Sequence, residues 1–98
     1  MTRKKLSDTE IQAGLAVRPG WTVVTGKLHR DYKFTNFIQA FGFMTSTALV
    51  AERMNHHPEW FNVYGTVTVD LTTHAVGGIS QLDFKLAEKM DALAASKG

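Results

Sequence analysis

Glu52, His56, His57, His74 and Asp83 bring three of the chain's four histidines together with two carboxylates in one stretch of a 98-residue protein. Imidazole is the side chain whose ordinary pKa puts its charge change between pH 5 and 8. Proton transfer at neutral pH needs groups poised near the working pH, so the set reads first as an acid/base site. Glu52 and His56 are four residues apart and would point the same way on a helix that reached His56; the carboxylate would then hold the imidazole in one tautomer. His57 precedes Pro58, where a helix must end, so its ring would project differently. His74 is expected in a loop after the last strand, and Asp83 at the start of the final helix. Each residue has an ordinary structural role open to it: Glu52 as a solvated helix residue, His56 and His57 as cations at a helix C-terminus, His74 as a loop residue, Asp83 as a helix cap. Their joint spacing is what argues for a site. His29, on the polar face of a strand, reads as structural.

Three helices and two hairpins must position these groups. Ser7-x-x-Glu10 forms a capping box, with Leu6 and Ile11 at the staple positions, and this short helix ends near Gly14 to Val17 before the Pro19-Gly20 turn. Trp21 to Val24 and Lys27 to Phe34 read as a hairpin across Thr25-Gly26. Leu28, Tyr32 and Phe34 share one face of its second strand. Arg30 is the exception on that face, which suggests an edge. The second helix is expected from about Thr35, as N-cap, to about Asn55. One of its faces carries Phe37, Ile38, Phe41, Met44, Ala48 and Leu49, and the opposite face Ala40, Phe43, Thr47, Val50 and Met54. A surface helix of a monomer normally has a polar back, so an apolar back points to a subunit interface. Trp60 to Tyr64 and Thr66 to Thr72 make the second hairpin, turning at Gly65. After Gly77-Gly78, Ser80-x-x-Asp83 resembles a capping box, with Ile79 and Phe84 at its staple positions and Leu82, Leu86, Met90 and Leu93 as the apolar stripe. The order α-β-β-α-β-β-α predicts an α+β fold: a four-stranded antiparallel sheet with three helices on one face, in a single domain over residues 1–98.

Composition narrows the function classes. With 44% hydrophobic residues the chain can bury a core, although a domain this small is only marginally stable alone. The lack of cysteine removes disulfides and thiolate metal sites and suits a reducing, cytoplasmic setting. The N-terminal run has basic residues but no apolar segment, so a signal peptide is not expected. The uncharged stretch Thr35 to Ala51 is too short and polar for a membrane span. Net charge is +2, and Arg3, Lys4 and Lys5 read as a solvated end. No basic face interleaved with aromatics marks a nucleic-acid footprint. Zinc could use His56, His57, His74 and a carboxylate, but adjacent histidines rarely share one ion and the His-x3-His spacing of helical metal sites is absent; no metal is expected.

The run Glu52-x3-His56-His57-Pro58, then Trp60-Phe61-Asn62-Val63-Tyr64, His74 and Asp83, resembles the pterin-4a-carbinolamine dehydratase family. Trp21, the Phe34-x-x-Phe37 region and the run Ala40-Phe41-Gly42-Phe43-Met44-Thr45 are similar to it as well, so the resemblance spans about Leu6 to Leu93. Gly65-Thr66 looks variable and remote from chemistry. The resemblance implies dehydration of a 4a-hydroxytetrahydropterin to the quinonoid dihydropterin, which supports tetrahydropterin recycling for aromatic amino acid hydroxylation, with no metal or organic cofactor. It also implies His56 and His74 as acids, and His57 as pterin ligand and acceptor of the N5 proton. Glu52 would orient and charge His56, Asp83 would hold the pocket around His74, and Trp21 and Phe61 are candidates for the pocket wall. Family members assemble as homodimers or homotetramers, here expected through the Thr35-to-Asn55 helix and the sheet edges. Some animal members also bind a homeodomain transcription factor. A competing reading is an interaction protein that keeps this fold without its activity.

Overall fold

The computed structural model describes residues 3–96. Its elements run α1 (Asp8–Ala16), β1 (Thr22–Val24), β2 (Lys27–Lys33), α2 (Phe37–Met54), β3 (Glu59–Val63), β4 (Thr66–Leu71) and α3 (Gln81–Ala95), with a short 3-10 turn at His74–Val76. The strands pair antiparallel in the order β1-β2-β4-β3. This is the expected α-β-β-α-β-β-α arrangement.

Local chemistry explains most of these boundaries. Ser7 and Glu10 close a capping box at the start of α1, and Ser80 and Asp83 close another at α3. Thr25 and Gly26 both have positive φ (52° and 78°), as a two-residue hairpin turn matched to the strand twist demands. The N-cap of α2 is Asn36 rather than the expected Thr35: its side chain accepts from the Gln39 N–H. Asparagine outranks threonine at this position.

Alternation in β2 and β4 builds the core. Leu28, Tyr32, Val67, Val69 and Leu71 are buried beneath the helices, together with Phe43 of α2 and Leu86 and Met90 of α3. His29, Asp31, Lys33, Thr66, Thr68 and Asp70 fill the alternate positions of the paired strands, on the open face. α1 seats on α3 at Gly14, where an added Cβ would stand 2.5 Å from the Phe84 ring.

Arg30 does not lie on an edge strand. β2 is interior to the sheet, and Arg30 is held on the apolar face by Asp91 of α3 (2.9 Å) and by the Tyr32 ring, 4.6 Å below its guanidinium. The buried face of α2 is the one bearing Ala40, Phe43, Thr47 and Ala51. The other apolar face is left open: Phe37, Ile38, Phe41 and Leu49 are all exposed, Ile38 by 81%. No helix among the described residues is long and apolar enough to cross a membrane.

Candidate functional site

The end of α2 decides where the histidines go. Helix geometry stops at Met54, and Asn55 adopts left-handed backbone (φ 52°, ψ 43°). The Asn55 N–H returns to the Glu52 carbonyl at 3.1 Å and the His56 N–H to the Ala51 carbonyl at 3.0 Å. These are the two bonds of a Schellman closure, with asparagine in the position that glycine usually takes. The reversal sends His56 inward and leaves His57 outside. His56 is 5% exposed, whereas His57 remains at the surface.

This closure overturns the expected pairing of Glu52 with His56. That pairing needed His56 on the helix; instead the ring leaves the helix face and its Nε2 lies 2.6 Å from Asp83 Oδ1. Glu52 meets His57, Nε2 to Oε1 at 2.8 Å. The expectation that Asp83 would attend His74 is corrected for the same reason, since Asp83 is buried at the start of α3 and engaged by His56. His74 is served by a residue that sequence reasoning did not single out: its Nε2 stands 3.2 Å from Glu59 Oε2.

Each of the three imidazoles therefore has its own carboxylate. An ionised carboxylate only accepts, so each partner places the proton on Nε2 and leaves Nδ1 as the uncommitted ring nitrogen. Glu59 is itself anchored. Lys27 Nζ reaches across the open face of the sheet to its Oε1 at 2.6 Å. That hydrogen bond, with the lysine charge and His74 adding to it, holds the Glu59 carboxyl below the ordinary carboxylate range.

His56, His57 and His74 line one open cavity of about 200 Å³, together with Arg3, Asn55, Thr72 and Ala75. Arg3 is not simply a solvated end, because its guanidinium donates to the Asn55 carbonyl at 3.2 Å. Two larger hollows, of about 500 Å³ between α1 and α3 and about 390 Å³ beside Asp91, contain no histidine. Convergent titratable groups, rather than volume, mark the candidate site.

Trp21 and Phe61 lie outside this cavity, contrary to their expected place in its wall. Trp21 is buried edge-on to Tyr32, and its indole N–H donates to Asp91 at 3.0 Å. Phe61 alternates with Trp60 on β3, which turns it to the open face, where it is exposed. His29 pairs with Asp70 at 2.9 Å on that face, away from the cavity. Among the described residues no three His, Asp or Glu side chains converge to hold a metal ion.

Comparison with known proteins matches residues 4–93 to the family model described as pterin 4 alpha carbinolamine dehydratase. A protein of Solibacter usitatus (strain Ellin6076) with a provisional pterin-4-alpha-carbinolamine dehydratase name is 68% identical over 91 residues, covering 93% of this chain and 96% of the relative. One of the same provisional name from Chelativorans sp. (strain BNC1) is 56% identical, covering 97% of this chain and 99% of the relative. A crystal structure from Brucella melitensis, described as a transcriptional coactivator/pterin dehydratase, superposes with a TM-score of 0.90 at 45% identity, covering 93% of this chain and 99% of that one.

Proposed function

Because the chain belongs to the pterin-4a-carbinolamine dehydratase family of hydro-lyases, we propose that it dehydrates a 4a-hydroxytetrahydropterin by histidine acid/base catalysis at the cavity between α2 and the β4–α3 connection. The observation that carries this reading is the convergence of three imidazoles on one cavity, each oriented by its own carboxylate.

Dehydration breaks the C4a–O bond as the hydroxyl takes a proton and leaves as water. N5 gives up its proton, and its electron pair forms the N5–C4a double bond. One group must donate a proton and another must accept one, and histidines can do both near neutral pH. His56 and His74 act as acids in their imidazolium form, giving the Nδ1 proton to the leaving hydroxyl while Nε2–H stays on the carboxylate, and His57, neutral with Nδ1 free, binds the pterin and takes the N5 proton. Glu52, Asp83 and Glu59 hold the rings. An open cavity of about 200 Å³ suits the reactive edge of the bicycle, with the pterin's side chain left outside. The product is a quinonoid dihydropterin, fit for reductive recycling in support of aromatic amino acid hydroxylation in the cytoplasm.

The exposed apolar face of α2, with Phe37, Ile38, Phe41 and Leu49, supports self-association as a homodimer or homotetramer. The coactivator description of the Brucella structure favours a transcription-factor partner as a second reading.

The deciding experiment follows carbinolamine dehydration by ultraviolet absorbance for wild type, His56→Ala, His57→Ala and His74→Ala. Single substitutions should lower the rate by about 10²–10⁴-fold. No acceleration by folded wild type would leave the interaction reading in its place.

A further inference from the structure

Thr73 lies behind the histidine cavity and does not line it. Its side chain is 1% exposed and sits between Ser80 and Asp83. Thr73 Oγ1 stands 2.8 Å from Asp83 Oδ2 and 2.7 Å from Ser80 Oγ. The ends of this chain of groups fix the direction of every proton in it. Ser80 Oγ accepts from the Leu82 N–H at 3.2 Å, which frees the serine proton for Thr73. Thr73 has one proton, and the carboxylate beyond it only accepts. The chain therefore reads Leu82 N–H to Ser80 Oγ–H to Thr73 Oγ–H to Asp83 Oδ2. The Ser80 N–H adds a second donor to the same oxygen at 2.9 Å. Oδ1 is left for His56 Nε2.

The main chain of Thr73 has a separate task. Its N–H donates to the Gly78 carbonyl at 2.8 Å, and its carbonyl accepts from the Val76 N–H at 3.1 Å and the Gly78 N–H at 3.4 Å. These bonds close the loop that begins with His74. One residue thus ties down the His56 half of the cavity through its hydroxyl and the His74 half through its backbone.

We propose that Thr73 is a positioning residue for the dehydration. Its hydroxyl holds the Asp83 carboxylate in one orientation, and through it the Nε2-protonated tautomer of His56. Buried hydrogen-bond chains of this kind are polarised in one direction and costly to break. The inference rests on the reading that His56 acts on the substrate, and its test separates the two.

Thr73→Val keeps the shape and removes the hydroxyl; Thr73→Ser keeps the hydroxyl and removes the methyl. Turnover, melting temperature and the imidazole ¹⁵N shifts of His56 are compared with wild type. The expected result is a fall in kcat on the order of tenfold or more in Thr73→Val with little change in KM, accompanied by mixed His56 tautomers. Thr73→Ser should keep the wild-type tautomer and most of the turnover even though it melts lower. Thr73→Ala serves as a second hydroxyl-free variant should valine prevent folding, with the same expectation. A wild-type His56 tautomer in the hydroxyl-free variants, or turnover that follows melting temperature across all of them, would overturn the proposal. Should His56→Ala turn over like wild type while Thr73→Val still scrambles the tautomer, the hold of Thr73 on the His56 ring stands, but the catalytic reading of His56 fails and with it the role of Thr73 in the dehydration.

Discussion

Asp83 serves two structures at once: Oδ1 lies 2.6 Å from His56 Nε2, while Oδ2 accepts the Ser80 N–H that opens α3. Asp83→Asn preserves the shape but turns an acceptor into a donor on one side. Turnover should fall by about 10²–10⁴-fold, and stability by about 1–3 kcal/mol from the broken buried network. Turnover assays paired with urea unfolding check both numbers on the same protein.

Glu52 offers the contrast. Its side chain is 81% exposed and, among the described residues, reaches only His57. Glu52→Gln should leave the melting temperature where it was and still slow dehydration, because the His57 ring keeps an acceptor but loses the carboxylate charge beside it. A matching loss of stability would show that the pair holds the helix end together instead.

Asn55 has a conformational requirement that an assay of stability can read. Glycine adopts left-handed backbone freely and alanine does not. Asn55→Gly should fold as wild type does, while Asn55→Ala should lose about 1 kcal/mol. The alanine variant should also lose turnover beyond that, because the closure aims His56; histidine NMR would show the ring displaced from Asp83.

Tyr32 supplies an alkaline prediction. Burial pushes its phenol well above the ordinary tyrosine range, and the hydrogen bond to Asp91 and that residue's charge add to the shift. A pKa higher in the folded than in the unfolded chain stabilises fully below the unfolded value, near 10. That contribution is lost as pH rises above it, by at most about 1.4 kcal/mol per pH unit. Urea midpoints at rising pH should fall above about pH 10, and less steeply in Tyr32→Phe.

Gly65 was expected to tolerate change, but its Cα faces Phe34. An added Cβ would lie 2.6 Å from the Phe34 carbonyl oxygen, and the Gly65 carbonyl accepts the Phe34 N–H at 2.7 Å. Gly65→Ala should cost about 1–3 kcal/mol through backbone overpacking without affecting kcat. An unchanged melting temperature would mean that the turn shifts freely.

What the sequence disclosed depended on the range of the interaction. Capping boxes at Ser7 and Ser80 span three residues, and strand alternation repeats every two, so the starts of α1 and α3, the strand faces and the fold were legible. The histidine partners were not, because they depend on the sign of one φ at Asn55. A signal was nevertheless present: asparagine is one of the residues that close a helix in left-handed backbone, a proline commonly follows shortly after, and Asn55 stands three residues ahead of Pro58. Glu59 was missed because nothing nearby marks it; alternation with the inward Trp60 would have put it on the open face. Asp91 was missed although Arg30 advertised it. A cation on the buried face of an interior strand requires an anion from the layer above, and α3 provides one that also takes Trp21, Arg18 and Tyr32.

The division of the carboxylates between solvent and interior has a consequence for how this protein can change over generations. Drift at Glu52 or His57 can silence chemistry while the molecule remains intact, because neither is needed to build it. Drift at Asp83 weakens the start of a helix along with the reaction, so such descendants would carry a stability cost before they could be reused. A lineage that exchanges catalysis for another task is therefore expected to have lost the outer pair first and to carry the inner pair as a relic.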